Sequence, residues 1–366
     1  MKNNNIFKYF AAHLSMLGLP ATDGLADILR ENFSKEEAEI AMMLPPDNIP
    51  LTPVTPDELA NETGRDRERI AEILSGLAAR NMIYTGKNRD GLTGYALHHP
   101  GFGFPQTFFW KGEKNRYALE MSRLVIKYFN RKVTREAFGG TSTKAYRYVP
   151  VQRSLNPEVQ TVLPHDIMTN LLDRAHRFAV AHCTCRVQAD LMGRPCDHPL
   201  EVCIKFDEMA DYIIDQNLGR EITREQAGRI VDQAAEAGLV HFVDNAEGKI
   251  KHNCNCCGCA CWNVGTIRRR KIPRDELMAV YFIRRTDTDL CAGCGLCIDI
   301  CPVNAVTMED GTASVDEDWC IGCGVCTSRC EFDAIEIVYR ENMKKIPEDF
   351  DTLHKKIIKE TDPGHQ

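Results

Sequence analysis

Two cysteine runs near the C-terminus decide the fold of this region: CAGCGLCIDICP at residues 291–302 and CIGCGVCTSRC at residues 320–330. Each run places three cysteines at intervals of two residues and a fourth after three more. The runs repeat at an offset of 29 residues, and Asp289 before the first run matches Asp318 before the second. Three thiolates at this spacing can wrap one corner of an iron–sulfur cubane, whereas zinc knuckles rarely use it. The runs therefore predict two [4Fe–4S] clusters.

Over about 285–340 these residues closely resemble the two-cluster ferredoxins of bacteria. The resemblance implies a ferredoxin-like domain of βαββαβ type at 284–340, in which the fourth cysteine of each run binds the cluster of the other run. The implied ligands of the first cluster are Cys291, Cys294, Cys297 and Cys330. Those of the second cluster are Cys320, Cys323, Cys326 and Cys301. Glu331 departs from the family, which usually has proline after the last cysteine.

The composition indicates a globular protein rich in metal ligands. The chain has 366 residues, 43% of them hydrophobic and 27% charged, and it contains 17 cysteines. An odd number of cysteines that cluster at metal-ligand spacings argues against a disulfide framework and for a reducing compartment. We find no secretory signal and no apolar stretch of membrane-spanning length, so we expect a cytoplasmic protein with no membrane span. The sequence shows no glycine-rich nucleotide loop, and a nucleotide or flavin site is not expected.

The net charge of −7 is unevenly distributed. Residues 286–339 contain eleven acidic side chains and one basic side chain, Arg329. An acidic surface attracts basic partners over long range, so we expect a redox partner protein. The basic run that precedes it, Arg268 to Arg274, is interpreted as a solvated linker that neutralises the acidic module.

Residues 34–99 resemble the winged helix–turn–helix family. Two capping boxes, Ser34 with Glu37 and Thr55 with Glu58, predict the starts of two helices. The third predicted helix covers about 65–80, and two short strands follow near 82–85 and 94–97.

The third helix of this region decides between DNA binding and a protein interface. Arg65, Arg67 and Arg69 stand among acidic residues of the same helix, which is a poor surface for phosphate. We therefore expect an interface, with a homodimer through the N-terminal region as one option, and do not expect DNA binding. The aromatic stretch 100–110 is interpreted as core or subunit-interface packing.

A second constellation of cysteines lies in the middle of the chain. Its members are Cys183, Cys185, Cys196, Cys203, Cys254, Cys256, Cys257, Cys259 and Cys261. Residues two apart in an extended segment face the same side, so Cys183 and Cys185 should bind one centre together. One or two further [4Fe–4S] clusters are the first interpretation. A zinc site with Cys254 and Cys257 as a knuckle, and a catalytic thiol or redox disulfide, remain alternatives.

The expected fold class is α+β and mostly α-helical, with an α-rich middle domain. Helices are predicted at 116–130, 164–180 and 205–238, and one short strand at 239–243. The predicted domains are a winged helix at 1–110, a helical domain with the central cysteines at 111–283, the ferredoxin domain at 284–340 and a charged helical tail at 341–366.

Nearly the whole chain resembles a group of 4Fe–4S proteins from anaerobes, with a winged-helix start and CxCR and CNCCxCxC blocks. The resemblance implies an electron-transfer protein of anaerobic metabolism that acts with a partner oxidoreductase. Two other functions stay open: an iron–sulfur, redox-responsive transcription regulator, and a reductase whose central cluster has an open coordination site. No catalytic residue is assigned from the sequence.

Overall fold

The computed structural model describes residues 5–155, 162–341 and 343–361. The chain is mixed α/β, with helices first and small sheets later. The N-terminal helices are α1 Ile6–Ser15, α2 Asp23–Asn32, α3 Lys35–Ala41, α4 Pro56–Thr63, α5 Arg67–Ala79, α6 Arg116–Tyr128 and α7 Arg131–Gly139. A hairpin of β1 Tyr84–Lys87 and β2 Thr93–Ala96 lies between α5 and α6.

Local capping determines where the N-terminal helices begin. Both predicted capping boxes form, and in α3 the Ser34 hydroxyl accepts from the Glu37 amide at 3.2 Å while Glu37 accepts from the Ser34 amide at 2.7 Å. These bonds satisfy amides that would otherwise lack partners at the helix start. One apolar core then joins α1 to α7, from Phe7 to Val133, and includes Phe109 from the aromatic stretch. This core crosses the predicted boundary at 110/111, which stays a prediction.

The hairpin after α5 receives a third extended segment. Val54 and Tyr95 exchange both backbone hydrogen bonds, at 2.8 and 2.9 Å. Three helices, α3 to α5, thus precede a hairpin with a short third strand. Assignment of this unit to the winged-helix family remains a prediction.

The arginines of α5 and its start are paired with carboxylates. Arg67 lies 2.8 Å from Asp57 of α4, and Arg69 lies 2.6 Å from Glu36 of α3. Arg69 also reaches Glu72 at 2.5 Å within α5. The positive charge of this face is therefore largely neutralised within the fold.

The middle of the chain is built on a six-stranded antiparallel sheet with the order β3-β7-β8-β5-β4-β6. The strands are β3 Tyr146–Val149, β4 Phe178–His182, β5 Glu201–Phe206, β6 Arg220–Glu221, β7 Val240–Asp244 and β8 His252–Cys256. The helices are α8 Met168–Leu172, α9 Thr184–Leu191, α10 Glu208–Asp215, α11 Arg224–Glu236, α12 Val264–Arg270 and α13 Arg274–Leu277.

The sheet corrects the prediction of an α-rich middle domain with one short strand. Residues 178–182 and 201–206 form strands, whereas the sequence pattern predicts helices over 164–180 and 205–238. Both strands are buried on both faces, so their residues lack the alternation that distinguishes a strand from a buried helix. The predicted capping box of Thr223 and Gln226 does form and begins α11.

The C-terminal part is a small module of two hairpin-like sheets. Its elements are β9 Phe282–Thr286, α14 Leu296–Asp299, β10 Val306–Glu309, β11 Thr312–Val315 and β12 Ile335–Tyr339, followed by α15 Phe350–Thr361. Strand β9 pairs antiparallel with β12, and β10 pairs antiparallel with β11. The cysteine runs lie in the loops around α14 and before β12.

Across the described residues, none of the helices has both the length and the apolar character that crossing a membrane requires.

Candidate metal centres

The cysteines of the C-terminal module line two separate cavities. The outer set, which surrounds one cavity of about 20 Å³, is Cys291, Cys294, Cys297 and Cys330. The inner set, which surrounds another cavity of about 20 Å³, is Cys301, Cys320, Cys323 and Cys326. Each cavity thus combines three thiols of one run with the fourth thiol of the other. The sets differ in exposure, since Cys294 of the outer set is exposed and Cys301, Cys320 and Cys323 of the inner set are buried.

A buried arginine lies between the two cavities. Arg284 of β9 lines both of them and is only 1% exposed. None of its three guanidinium nitrogens has a hydrogen-bond partner among the described residues. A buried, unpartnered cation is costly, and an anionic group with acceptor atoms on either side would satisfy it. Two anionic iron–sulfur clusters, each with sulfide acceptors, fit this requirement.

Backbone amides point at the thiols of both sets. The Ala313 amide lies 3.5 Å from the Cys291 sulfur, and the Ala305 amide lies 3.2 Å from the Cys301 sulfur. The amides of Ala313 and Gly293 hold the pKa of the Cys291 thiol below its usual range. Such bonds favour thiolate and tune the potential of a bound cluster.

A glycine allows the close approach on which the inner set depends. Gly322 has a φ of +60°, and a Cβ there would lie 2.2 Å from the carbonyl oxygen of Phe282. Only glycine fits this left-handed turn against β9. The loop of Cys320 and Cys323 is thereby held against the strand that contains Arg284.

The central cysteines divide into two sets. The six-thiol set is a continuous row in which neighbouring thiols interact in the order Cys183, Cys185, Cys261, Cys256, Cys254 and Cys203. The four-donor set is Cys196, His198, Cys257 and Cys259. All nine central cysteines predicted as ligands therefore lie in one set or the other, and His198 joins them.

The backbone around these cysteines differs from the extended segments that the spacing suggested. Cys183 caps α9 and Cys185 lies in its first turn, so the pair is held by a helix start. Cys254 and Cys256 do lie in a strand, β8. The chain then turns, and Cys261 joins the six-thiol set while Cys257 and Cys259 belong to the other. The expectation that Cys257, Cys259 and Cys261 share one face was wrong because the strand ends at Cys256.

The six-thiol set borders the largest of the cavities described here, with a volume of about 350 Å³. Lys205, Arg194, Arg269 and Arg270 contribute to its lining, and none of the described residues that line it is an aspartate or glutamate. Lys205 is buried and lies 5.2 Å from the centre of the Trp110 ring. A cationic lining around six thiols suits an anionic iron–sulfur centre.

A histidine and a carboxylate also meet beside this cavity. His252 contributes to the lining, and its Nδ1 lies 3.1 Å from a carboxylate oxygen of Asp244, which is fully buried. Burial by itself raises the pKa of Asp244, but His252 and the Lys251 amide reverse that effect and hold it below its usual value. The pair can hold a proton on a His252 ring nitrogen at the edge of the cavity.

Two arginines hold the central loops in place. Arg186, which is 1% exposed, donates to the carbonyl of Asn255 at 2.7 Å and to that of Pro199. Arg269 donates to the carbonyl of Cys261 at 2.9 Å and to that of Cys259. The basic run is therefore not a solvated linker, because Arg269 clamps the cysteine loop and Arg274 is buried and donates to the carbonyl of Cys320.

His182, which flanks the first cysteine pair in sequence, lies outside both sets. Its Nδ1 is 3.1 Å from the carbonyl oxygen of Trp110. His198 is the residue that sequence reasoning missed. Its signal was present, since Cys196 and His198 are separated by one residue beside two proline residues, Pro195 and Pro199.

The central loops contact the inner set directly. Gly258 faces Pro302, and a Cβ there would lie 2.2 Å from the Pro302 carbonyl oxygen. Tyr148 lies between the two groups of thiols. Burial, reinforced by the thiols of Cys261, Cys256 and Cys323, raises the pKa of its phenol well above the usual range. The inner set, and not the outer one, is thus the neighbour of the central site.

Comparison with known proteins supports the C-terminal module. Residues 290–334 match the 4Fe-4S dicluster domain family. Over 54 residues the chain is 39% identical to one polypeptide of the H(2):CoB-CoM heterodisulfide,ferredoxin reductase of Methanothermobacter marburgensis, which is 14% of this chain and 8% of that polypeptide. A probable ferredoxin of Methanosarcina thermophila is 46% identical over 35 residues, or 9% of this chain and 60% of that protein.

These relatives are matched over a small part of their length. The chain spans 8% of the reductase polypeptide and 60% of the ferredoxin, so the match concerns the module and not whole proteins. At that level the chain carries a ferredoxin-type domain for two [4Fe–4S] clusters and is an iron–sulfur protein of electron transfer.

Proposed function

We propose that this protein is a multi-cluster iron–sulfur electron carrier that connects a partner oxidoreductase to a central iron–sulfur site. The observation that carries the proposal is the buried Arg284 between two four-thiol cavities. A cation in this position is compensated only when anionic groups occupy both sides. The similarity to ferredoxins and to a polypeptide of a heterodisulfide reductase agrees with this role in anaerobes.

The proposed ligands follow the two cavities. Cys291, Cys294, Cys297 and Cys330 would hold one [4Fe–4S] cluster, and Cys320, Cys323, Cys326 and Cys301 the second. The six-thiol set would hold at least one further iron–sulfur centre. Six thiols this close together repel one another once ionised, and bound metal is what offsets that repulsion.

The arrangement supports a route through the module. The outer set is the solvent-facing one, and Leu290, Leu296 and Phe332 near it are 50%, 44% and 49% exposed. Exposed apolar side chains within an acidic surface suit a partner that has an apolar patch with a basic rim. We infer that this partner exchanges electrons at the outer set, and that the inner set and Tyr148 connect it to the central site.

The N-terminal unit is proposed to bind protein and not DNA. The carboxylates that pair with Arg67 and Arg69 leave little free positive charge on α5. Salt-dependent DNA binding that is lost when both arginines are replaced would favour the regulator instead.

Ligand replacement tests the assignment of the two ferredoxin clusters. Iron, acid-labile sulfide and EPR spectra are measured on anaerobically purified protein. Cys301→Ala is expected to damage the cluster of Cys320, Cys323 and Cys326 and to leave the other signal intact, with Cys330→Ala as the reciprocal control. If Cys301→Ala damages the cluster of Cys291 instead, the proposed ligand sets are wrong.

A second function, reduction of a small molecule, is favoured by the size of the central cavity. Its volume of about 350 Å³, against about 20 Å³ for each ferredoxin cavity, leaves room beside the thiols. His252 and Asp244 could supply a proton there. Under this proposal His252→Gln lowers turnover with an artificial electron donor but leaves iron content and cluster potentials unchanged. Unchanged turnover in the variant argues for the carrier alone.

A further inference from the structure

We propose that Cys196, His198, Cys257 and Cys259 form a closed zinc site that is separate from every iron–sulfur centre of the chain. Their four donor atoms all lie within 4.8 Å of one another. Within 5–155, 162–341 and 343–361, no other group of cysteine, histidine or acidic donors is gathered this closely. The donor set, three thiolates and one imidazole, is a common composition of structural zinc sites.

The distances between donors separate a single ion from a cubane. The Cys196 sulfur lies 3.2 Å from Nδ1 of His198, 3.7 Å from the Cys257 sulfur and 3.1 Å from the Cys259 sulfur. Two sulfurs on one tetrahedral zinc, each about 2.3 Å from the ion, are separated by about 3.8 Å. In a cubane each thiolate binds a different iron, so its four thiolates stand further apart. The four-donor set is therefore too compact for a cluster.

The surroundings make this a closed and rigid site. Cys196 and His198 lie in the loop between α9 and β5, and Cys257 and Cys259 follow β8. Arg186 bonds to Pro199 beside the first pair and to Asn255 before the second. Its guanidinium also interacts with the Cys257 thiol. Zinc with three thiolates and neutral imidazole carries one negative charge, which this arginine offsets.

The position of the site indicates its role. Gly258, between two of the ligands, packs on Pro302, which follows the inner-set ligand Cys301. Cys256 and Cys261 of the six-thiol set lie on either side of the same loop. Zinc has no redox activity, so the site conducts no electrons. It would tie two loops together and hold the central thiols at a constant separation from the inner set.

The test measures zinc, iron and acid-labile sulfide per chain in anaerobically purified full-length protein. Wild type is expected to contain about one zinc ion per chain in addition to iron and sulfide. Loss of zinc is expected in His198→Ala and in Cys259→Ser, whose ligand is exposed, while iron, sulfide and EPR signals are retained. Retained iron also shows that the variants fold.

Two further variants complete the test. His176→Ala replaces an exposed histidine elsewhere and should keep its zinc. His198→Cys supplies a fourth thiolate and should keep zinc as well. Iron and sulfide lost together with the metal of this site would show a cluster, and iron without sulfide would show mononuclear iron; either result, or wild type without zinc, overturns the proposal. Zinc in a chain that lacks clusters would leave the proposal standing and count against the carrier function.

Discussion

Replacement of Arg284 by methionine tests the electrostatic reasoning behind the ferredoxin module. Arg284 is buried, lines both four-thiol cavities and has no hydrogen-bond partner among the described residues. Methionine keeps much of the volume and removes the charge. Because the reduced form of a cluster is more negative than the oxidised form, loss of a nearby cation destabilises the reduced form and lowers the potential.

The size of the effect follows from burial. At an effective dielectric constant of about 20, a charge roughly 5 Å away contributes about 3 kcal/mol. Since about 1.4 kcal/mol corresponds to about 59 mV for one electron, each potential should fall by on the order of 100 mV. Both clusters should respond, because Arg284 faces both cavities.

Redox titration followed by EPR measures both potentials. Arg285→Met is the matched control, since Arg285 is the next residue of β9, is exposed and points to the opposite face. Solvent screens its charge, so its replacement should change the potentials far less. Arg284→Lys, which keeps the charge, should recover much of the wild-type value. Potentials that stay at the wild-type value in Arg284→Met, or that fall equally in Arg285→Met, would refute the reasoning.

Three other predictions concern coupling, the N-terminal unit and pH. Gly258→Ala should force the central loop away from Pro302, whose carbonyl a Cβ would approach to 2.2 Å; a cost of about 1–3 kcal/mol in the free energy of unfolding and slower reduction of the central centre are expected, and unchanged stability and kinetics would contradict this. Replacement of Arg67 and Arg69 by alanine should leave DNA affinity at its weak wild-type level in gel-shift assays at two salt concentrations, because carboxylates already pair with both; a loss of tight binding would show a DNA reader. Burial lowers the pKa of His98 and of His354 to about 4. Both are protonated more readily in the unfolded chain, so their contribution is complete above about pH 6.5 and is lost as pH falls toward 4, by about 2.5 kcal/mol together between pH 7 and 5.5. Urea unfolding of a variant with glutamine at both positions should show a pH dependence weaker by that amount, and an unchanged dependence would exclude these residues.

The positions of the C-terminal thiols were largely predictable from the sequence. Their spacing is a local property, because a loop that wraps a cubane requires ligands at short, regular intervals and glycines between them. The helix starts at Ser34, Thr55 and Thr223 were predictable for the same reason, since a capping box lies within four residues.

The middle domain was not predictable in this way. Strands β4 and β5 are covered on both faces, and their apolar runs carry no period that distinguishes a strand from a helix. Neighbours in the sheet, such as β5 and β8, are far apart in the chain. Only the tertiary fold brings Cys203 next to Cys254.

The sequence by itself determined that this chain holds iron–sulfur clusters, because ligand type and ligand spacing are written along one stretch. The tertiary structure decided how nine central cysteines divide into a six-thiol set and a four-donor set that includes His198. It also decided that Arg284 lies between two cavities and that Gly258 packs on Pro302. These relations join residues from different elements, and a buried charge or a close approach exists only once those elements pack together.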